Sequence, residues 1–491
     1  MLFNSLKFAA FFPTVAAIFF VLPFRLRVFW LLAASYLFYM AWNPKYALLM
    51  LGSTAVTWLA GIAMDEVARR FPAHRAAVLK KWIMVACLTA NLLVLFVFKY
   101  ANFLLSGLET LVHHFGLDYS LPTFSILLPV GISFYIFQAI GYTVDVYRGD
   151  IPSERNFFYY ALFVSFFPQL VAGPIERSRH ILPQLHQKQT FDWERTRSGL
   201  IQMLWGYLQK MVIADRLAIF VDGVYANSQN LGAAAHLFAL IFFAMQLYCD
   251  FSSYSDIAIG CARIMGFDLM RNFDSPYLSS SLSAFWDRWH ISLSKWFQDY
   301  LYIPLGGSRK GTWRTCRNLF LVFLLSGLWH GAAMTFVIWG ALHGIYTVIS
   351  RLTQQPRARL RKAAGLDKSR VWRFLCTVWV FAFVCLTLAF FRAENLAQAL
   401  DILRGLGRWQ IPFTLEGIGM DRPDFVLSWI LIAVLLICDI LRRKYGPLTP
   451  RLISLPLVLR WVILLAGILA WAVFGLYGEG YVEQPFIYFQ F

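Results

Sequence analysis

The sequence predicts an all-α, polytopic membrane protein, and three observations carry that expectation. Of 491 residues, 59% are hydrophobic, 18% aromatic and only 14% charged, whereas soluble domains average about 45–50% apolar and about 25% charged. A soluble chain this long would need several cores under a charged coat, which so small a charged fraction does not supply. Apolar runs of membrane-crossing length recur along the whole chain. Basic residues gather in the loops between those runs, the pattern of cytoplasmic loops in membrane proteins. With a mean hydropathy of +0.57, these observations exclude the soluble, disordered and fibrous classes. The 46 Phe, 22 Tyr and 18 Trp suit lipid and its interfaces.

A transmembrane helix needs roughly 20 apolar residues. In chain order the candidate runs are 9–24, 28–43, 47–64, 82–98, 124–142, 156–174, 198–219, 235–250, 318–330, 332–350, 372–391, 425–441 and 457–477. Several are short, so about eleven transmembrane helices plus re-entrant and interfacial helices are expected. No soluble domain fits between the runs and no repeat of about 20–50 residues is visible, so residues 1–491 read as a single membrane domain. Lys7 precedes an apolar run to Pro23 with no small-x-small site after it. That reads as a retained helix rather than a cleaved signal. The cysteines (87, 249, 261, 316, 376, 385, 438) include no C-x-x-C pair, so they read as small buried hydrophobes rather than a disulfide or metal framework.

The net charge of +17 would suggest nucleic acid as a partner in a soluble protein. Here it sits in loop blocks: Arg69 to Lys81, Arg351 to Arg373, and Arg442 to Arg460. The blocks fit a bilayer with anionic headgroups, not nucleic acid. If 351–373 and 442–460 are cytoplasmic, the C-terminus is extracytoplasmic.

The middle of the chain is the least membrane-like. Trp286, Trp289, Leu293, Phe297 and Tyr300 recur at helical spacing, which suggests an amphipathic helix over 286–300 at an interface or lining a cavity. His290 lies on that aromatic stripe, where packing and catalysis are both open readings. Residues 395–408 suggest a second, weaker interfacial helix. The run from Tyr248 to Asp256 is polar enough to line a water-filled cavity or to satisfy backbone where helices break. The loop from Leu305 to Gly311 is glycine-rich and basic, so it suits either phosphate contact or an ordinary positive-inside loop; Walker A spacing is absent.

Residues 318–350 lie between Arg317 and Arg351, too long for one crossing and short for two. A bent or re-entrant hairpin is expected. His330 falls 13 residues past Arg317, roughly 20 Å along a helix and near the bilayer middle. Gly327 and Gly331 flank it and permit close backbone approach. An ionisable side chain at that depth is a functional candidate, and burial favours the neutral imidazole that a general base requires. The alternative is a structural histidine bonded to a neighbouring helix. His343 lies about 220° around a straight helix from His330 and need not share its site. No G-x-S-x-G, H-E-x-x-H, P-loop or post-strand GxGxxG motif is present, which removes the signatures of serine hydrolases, zincins and ATP-driven pumps.

Two segments, Phe285-Trp-Asp-Arg-Trp-His290-Ile-Ser-Leu-Ser294 and Ser326-Gly-Leu-Trp-His330-Gly331, resemble the signature of membrane-bound O-acyltransferases, in the bacterial branch acting on alginate and teichoic acids. Leu127-Leu-Pro-Val-Gly-Ile-Ser-Phe134, Asp145-Val-Tyr-Arg-Gly149, Val171-Ala-Gly-Pro174, Asp250-Phe-Ser-Ser-Tyr-Ser-Asp256, Leu305-Gly-Gly307 and the closing Phe486-Ile-Tyr-Phe-Gln-Phe491 resemble the alginate type. The resemblance spans the chain in order. Ser253 stands where the family usually has glycine, with a minor backbone effect expected.

The resemblance implies tilted helices around a central tunnel joining a cytoplasmic funnel to an outer one. It places the family's near-invariant histidine on His330 and its second on His290. Trp289, Trp329 and Asp287 within these motifs, with Arg309 and Lys310 of the basic loop, are the candidate substrate-binding side chains. Acetyl-CoA is the implied acyl donor, with no bound cofactor and no metal. The acceptor hydroxyl would enter from the other side, with His330 as base or through a transient acyl-enzyme. The chain shows no extracytoplasmic domain for a polysaccharide, so a separate periplasmic serine-type acetyltransferase is the implied partner at a bacterial inner membrane. Transfer of D-alanyl or another acyl group stays open. A transporter should show inverted repeats, and none is visible; a secretion scaffold would need no buried His330.

Overall fold

The computed structural model describes residues 1–116, 128–477 and 484–489, whose regular structure is helical, with no strand among them. Helices begin where the sequence supplies caps. Ser5 accepts from the Phe8 N–H, Asn43 from Lys45, Ser369 from Trp372, and Asp421 from Asp424, each satisfying an N–H with no partner within its helix. Among the described residues, six helices are long and apolar enough to cross a membrane: Pro44–Arg70, Ala73–His114, Ala233–Met265, Arg370–Arg392, Arg422–Tyr445 and Leu457–Phe474. Leu457–Phe474 buries no residue, an apolar surface suited to lipid.

Several expected runs fold differently. The run 82–98 continues to His114, through a π-helical turn at Phe96–Tyr100. The run 156–174 is not one helix. It gives the nine-residue helix Phe157–Ser165, because Pro168, Gly173 and Pro174 oppose helix beyond it. The start of the run 124–142 lies outside the described residues, which resume before the helix Ile132–Arg148. Leu127, Gln490 and Phe491 of the quoted motifs also lie outside them. The amphipathic helix over 286–300 is broken into Leu282–Trp286, Ile291–Phe297 and the π-helical Gln298–Tyr302. The helix Leu396–Gly405 forms as expected.

Contacts group the chain into two compact units, Met1–Leu200 with Ile257–Met270, and Ile201–Asp256 with Arg271–Phe491. The first has a core of phenylalanines around Phe8, Phe38 and Phe167, with the Phe38 and Phe167 rings 5.7 Å apart. Buried hydroxyls tie its helices: Tyr160 donates to Thr57 Oγ1 at 2.7 Å and Tyr39 to the Val130 carbonyl at 3.1 Å. In an apolar surround such bonds replace the missing water.

The second unit contains the expected hairpin. Helices Thr312–His330 and Met334–Leu352 pack together and are separated by a three-residue break. Glycine makes that packing possible. A Cβ on Gly327 would stand 2.3 Å from the Phe336 carbonyl oxygen, and one on Gly340 would stand 2.5 Å from that of Phe323. None of the cysteines forms a disulfide, and five are buried.

Candidate active site

His330 is the last residue of its helix and is 4% exposed. Gly331 follows in extended conformation, and a Cβ there would meet the Phe336 ring at 2.1 Å. The helix thus ends where glycine leaves room for the Phe336 ring, with the imidazole at its terminus. Trp329, Trp339 and Phe391 pack around the ring, with centroids 5.0, 5.2 and 5.3 Å away. Nδ1 lies 3.3 Å from the Tyr488 hydroxyl.

The ring faces a cavity of about 10 Å³, walled mainly by Tyr277, Trp286, Trp289, Trp339, Phe391 and Tyr488. That is about the room one water needs. The site is narrow and aromatic.

His290 is buried and adopts φ 44°, ψ 54°, one of two non-glycine residues at positive φ among the described residues. The left-handed turn explains why the aromatic stripe is not one helix. Asn272 holds the turn: its carbonyl accepts the Ile291 N–H at 2.9 Å, and its Oδ1 accepts the Ser292 hydroxyl at 2.6 Å. Backbone of this kind is costly for a residue with a Cβ and recurs at functional sites. The His290 and His330 ring centroids are 6.3 Å apart, but His290 is fully buried and outside the wall of the cavity that His330 lines.

Trp289 lines the cavity and stacks on Phe285 at 5.5 Å. Trp329 stands against both histidines, 5.8 Å from His290. His343 lines the same cavity as His330, and its Nε2 lies 3.1 Å from Thr387 Oγ1. Asp287 is exposed and outside the cavity wall. Arg309 and Lys310 are exposed in the loop before Thr312, about 27 Å from His330 by helical rise. Gly306, Gly307 and Gly311 have positive φ there, and Asn318 Nδ2 ties the loop back through the Leu305 and Gly307 carbonyls.

The polar run after Tyr248 is buried except for the half-buried Asp256, and its carboxylates are paired. Asp256 accepts from Gln202 and Gln209, each at 2.9 Å, and Ser253 Oγ donates to the Asp250 carbonyl at 2.6 Å. Asp250 meets Lys210 Nζ at 2.7 Å, and the same ammonium meets Asp215 at 2.9 Å. Sequence reasoning passed over Lys210 and Asp215 as part of the run 198–219. Charges inside an apolar run are themselves a signal.

A probable alginate O-acetylase AlgI from Pseudomonas putida is 38% identical over 509 residues, covering all of both chains. The chain belongs to the membrane-bound O-acyltransferase family. The family model itself matches residues 151–391. A second probable alginate O-acetylase, from Pseudomonas aeruginosa, is 41% identical over 88% of this chain and 81% of its own. A peptidoglycan O-acetyltransferase of Helicobacter pylori is 35% identical over 77% and 73%. The protein is thus a multi-pass membrane O-acyltransferase. Within the matched O-acyltransferase region lie His290, His330 and the whole glycine hairpin. Tyr488 lies beyond it, in the segment that the full-length relative also covers.

Proposed function

We propose that this O-acyltransferase moves an acetyl group from cytoplasmic acetyl-CoA across the bacterial inner membrane, for O-acetylation of an exported, alginate-like polysaccharide. The observation that carries the reading is His330 at a glycine-bounded helix end, its Nδ1 against Tyr488 in a narrow aromatic cavity. The curated relatives named as O-acetylases supply the acyl group and the polymer class.

In this reading Nδ1–H donates to the Tyr488 oxygen, which orients the ring and keeps Nε2 in its proton-accepting form. Nε2 takes the acceptor hydroxyl proton as that oxygen bonds to the thioester carbonyl carbon. The C–S bond breaks, and the departing CoA thiolate recovers the proton. His290 and Trp329 position the reacting groups, and the aromatic walls limit hydrolysis by excluding water. The acceptor hydroxyl in this reading is the serine of a periplasmic acetyltransferase, whose acetyl ester is then passed to a hydroxyl of the polymer, freeing the serine.

Proteoliposomes loaded with radiolabelled acetyl-CoA test the reading. Label should reach external alginate only when the periplasmic transferase is added. Polymer acetylation by this chain alone contradicts the two-protein scheme, and absence of any thioester cleavage contradicts acetyl-CoA as donor.

A further inference from the structure

We infer that Lys210 and Asp250 are positioning residues for acyl transfer: with Asp215 they anchor the C-terminal segment that presents Tyr488 to His330. The inference rests on the reading of His330 as the base.

Lys210 lies in the π-helical turn Leu208–Ala214, Asp215 opens the helix Asp215–Ala226, and Asp250 lies within Ala233–Met265. Such π-helical turns inside helices recur at functional sites. The three side chains are 1–3% exposed. One ammonium between two carboxylates leaves the cluster one negative charge in excess, and backbone meets that excess. Asp250 accepts from Lys210 Nζ on Oδ1 and from the Ile487 N–H on Oδ2 at 2.8 Å. Lys210 Nζ also reaches the Pro485 carbonyl at 3.4 Å and stands 4.7 Å over the Phe486 ring. On its other edge that ring meets Tyr254, with centroids 5.1 Å apart.

Residues 485, 486 and 487 thus dock on the cluster in succession, and the next residue is Tyr488, 3.3 Å from His330 Nδ1. Fixing the Ile487 N–H fixes the backbone one residue before the hydroxyl that orients the histidine. Stability alone does not call for such a cluster, since well-packed apolar side chains often replace buried ion groups without loss. The cluster instead gives the segment a register that apolar packing would leave free to slide.

The test uses the full-length protein in proteoliposomes with the periplasmic transferase present as acceptor, and the initial rate of radiolabelled acetyl-CoA cleavage. Asp250→Asn removes the excess charge and leaves the Lys210–Asp215 pair intact. Ile487→Pro deletes the donated N–H and exchanges a buried side chain, at the first residue of the short turn Ile487–Phe489, where proline's φ is compatible with a 3₁₀ turn. Each variant, like Tyr488→Phe, is expected to lower kcat tenfold or more while leaving KM for acetyl-CoA within twofold. Adding Tyr488→Phe to either anchor variant should cost less than a further twofold, because the anchor acts through that hydroxyl. If Asp250→Asn does not accumulate, the Ile487→Pro and Tyr488→Phe pair gives the same cycle. Wild-type kcat in Ile487→Pro or Tyr488→Phe, or losses that multiply in the double variant, would overturn the inference. His330→Ala serves as the control: inactive His330→Ala beside a fully active Ile487→Pro removes the anchor alone, whereas an active His330→Ala removes the underlying reading.

Discussion

The Tyr488 hydroxyl lies 3.3 Å from His330 Nδ1 although 158 positions separate the two residues. This contact brings the closing motif of the chain into the same aromatic cavity as the histidine at the end of the glycine hairpin. Partners of this kind fix which imidazole nitrogen carries the proton, so the proposed base and the hydroxyl proposed to orient it come from distant parts of one unit.

Gly340 should not tolerate a side chain. An added methyl would meet backbone, the Phe323 carbonyl oxygen at 2.5 Å and the Gly327 Cα at 3.1 Å. Overpacking of this kind costs about 1–3 kcal/mol. Gly340→Ala is therefore expected to lower the melting temperature in detergent and the acetyl-transfer rate together. An unchanged melt would show that the two helices can separate freely.

His290 and His343 should separate by phenotype. His290→Ala removes a side chain 6.3 Å from the His330 ring and is expected to keep a residual rate, with a melt close to wild type. His343→Ala breaks the contact with Thr387, a loss of about 1–3 kcal/mol where the partner stays buried. Its main expected effect is a lowered melting temperature. Initial rates corrected for folded fraction are the measurement, and a greater rate loss in His343→Ala than in His290→Ala would reverse the assignment.

Residues 351–373 include the short basic helix Gln354–Ala363, which buries nothing. With 442–456 they are expected to face the cytoplasm, and the C-terminus the other side. Cysteine accessibility on a cysteine-free background measures this. Labelling of position 360 by an impermeant reagent from outside would refute the orientation.

Much of the site was legible from local sequence. The length between Arg317 and Arg351 with Gly327 and Gly331 inside it pointed to the hairpin, and depth alone singled out His330. The turn at His290 was not legible, because Asn272, 18 positions away, holds it through backbone and side chain. Periodicity sees only residues within a few turns, so it read a continuous stripe instead. Tyr488 was visible only as part of a quoted motif, since nothing in a short aromatic tail indicates a partner 158 residues back. Lys210 and Asp215 were hidden by the hydropathy of the run around them, which averages over two charges that neutralise each other locally.

The most direct measurement of the central claim is the initial rate of acetyl-CoA consumption by purified His330→Ala in the presence of the periplasmic acceptor protein, taken beside its thermal melt. Loss of a general base typically costs about 10²–10⁴-fold in rate. The expected result is a loss of at least that order with expression and melting near wild type. A His330→Ala protein that keeps more than about a tenth of the wild-type rate, or that loses activity only by unfolding, would contradict the assignment of His330 as the base.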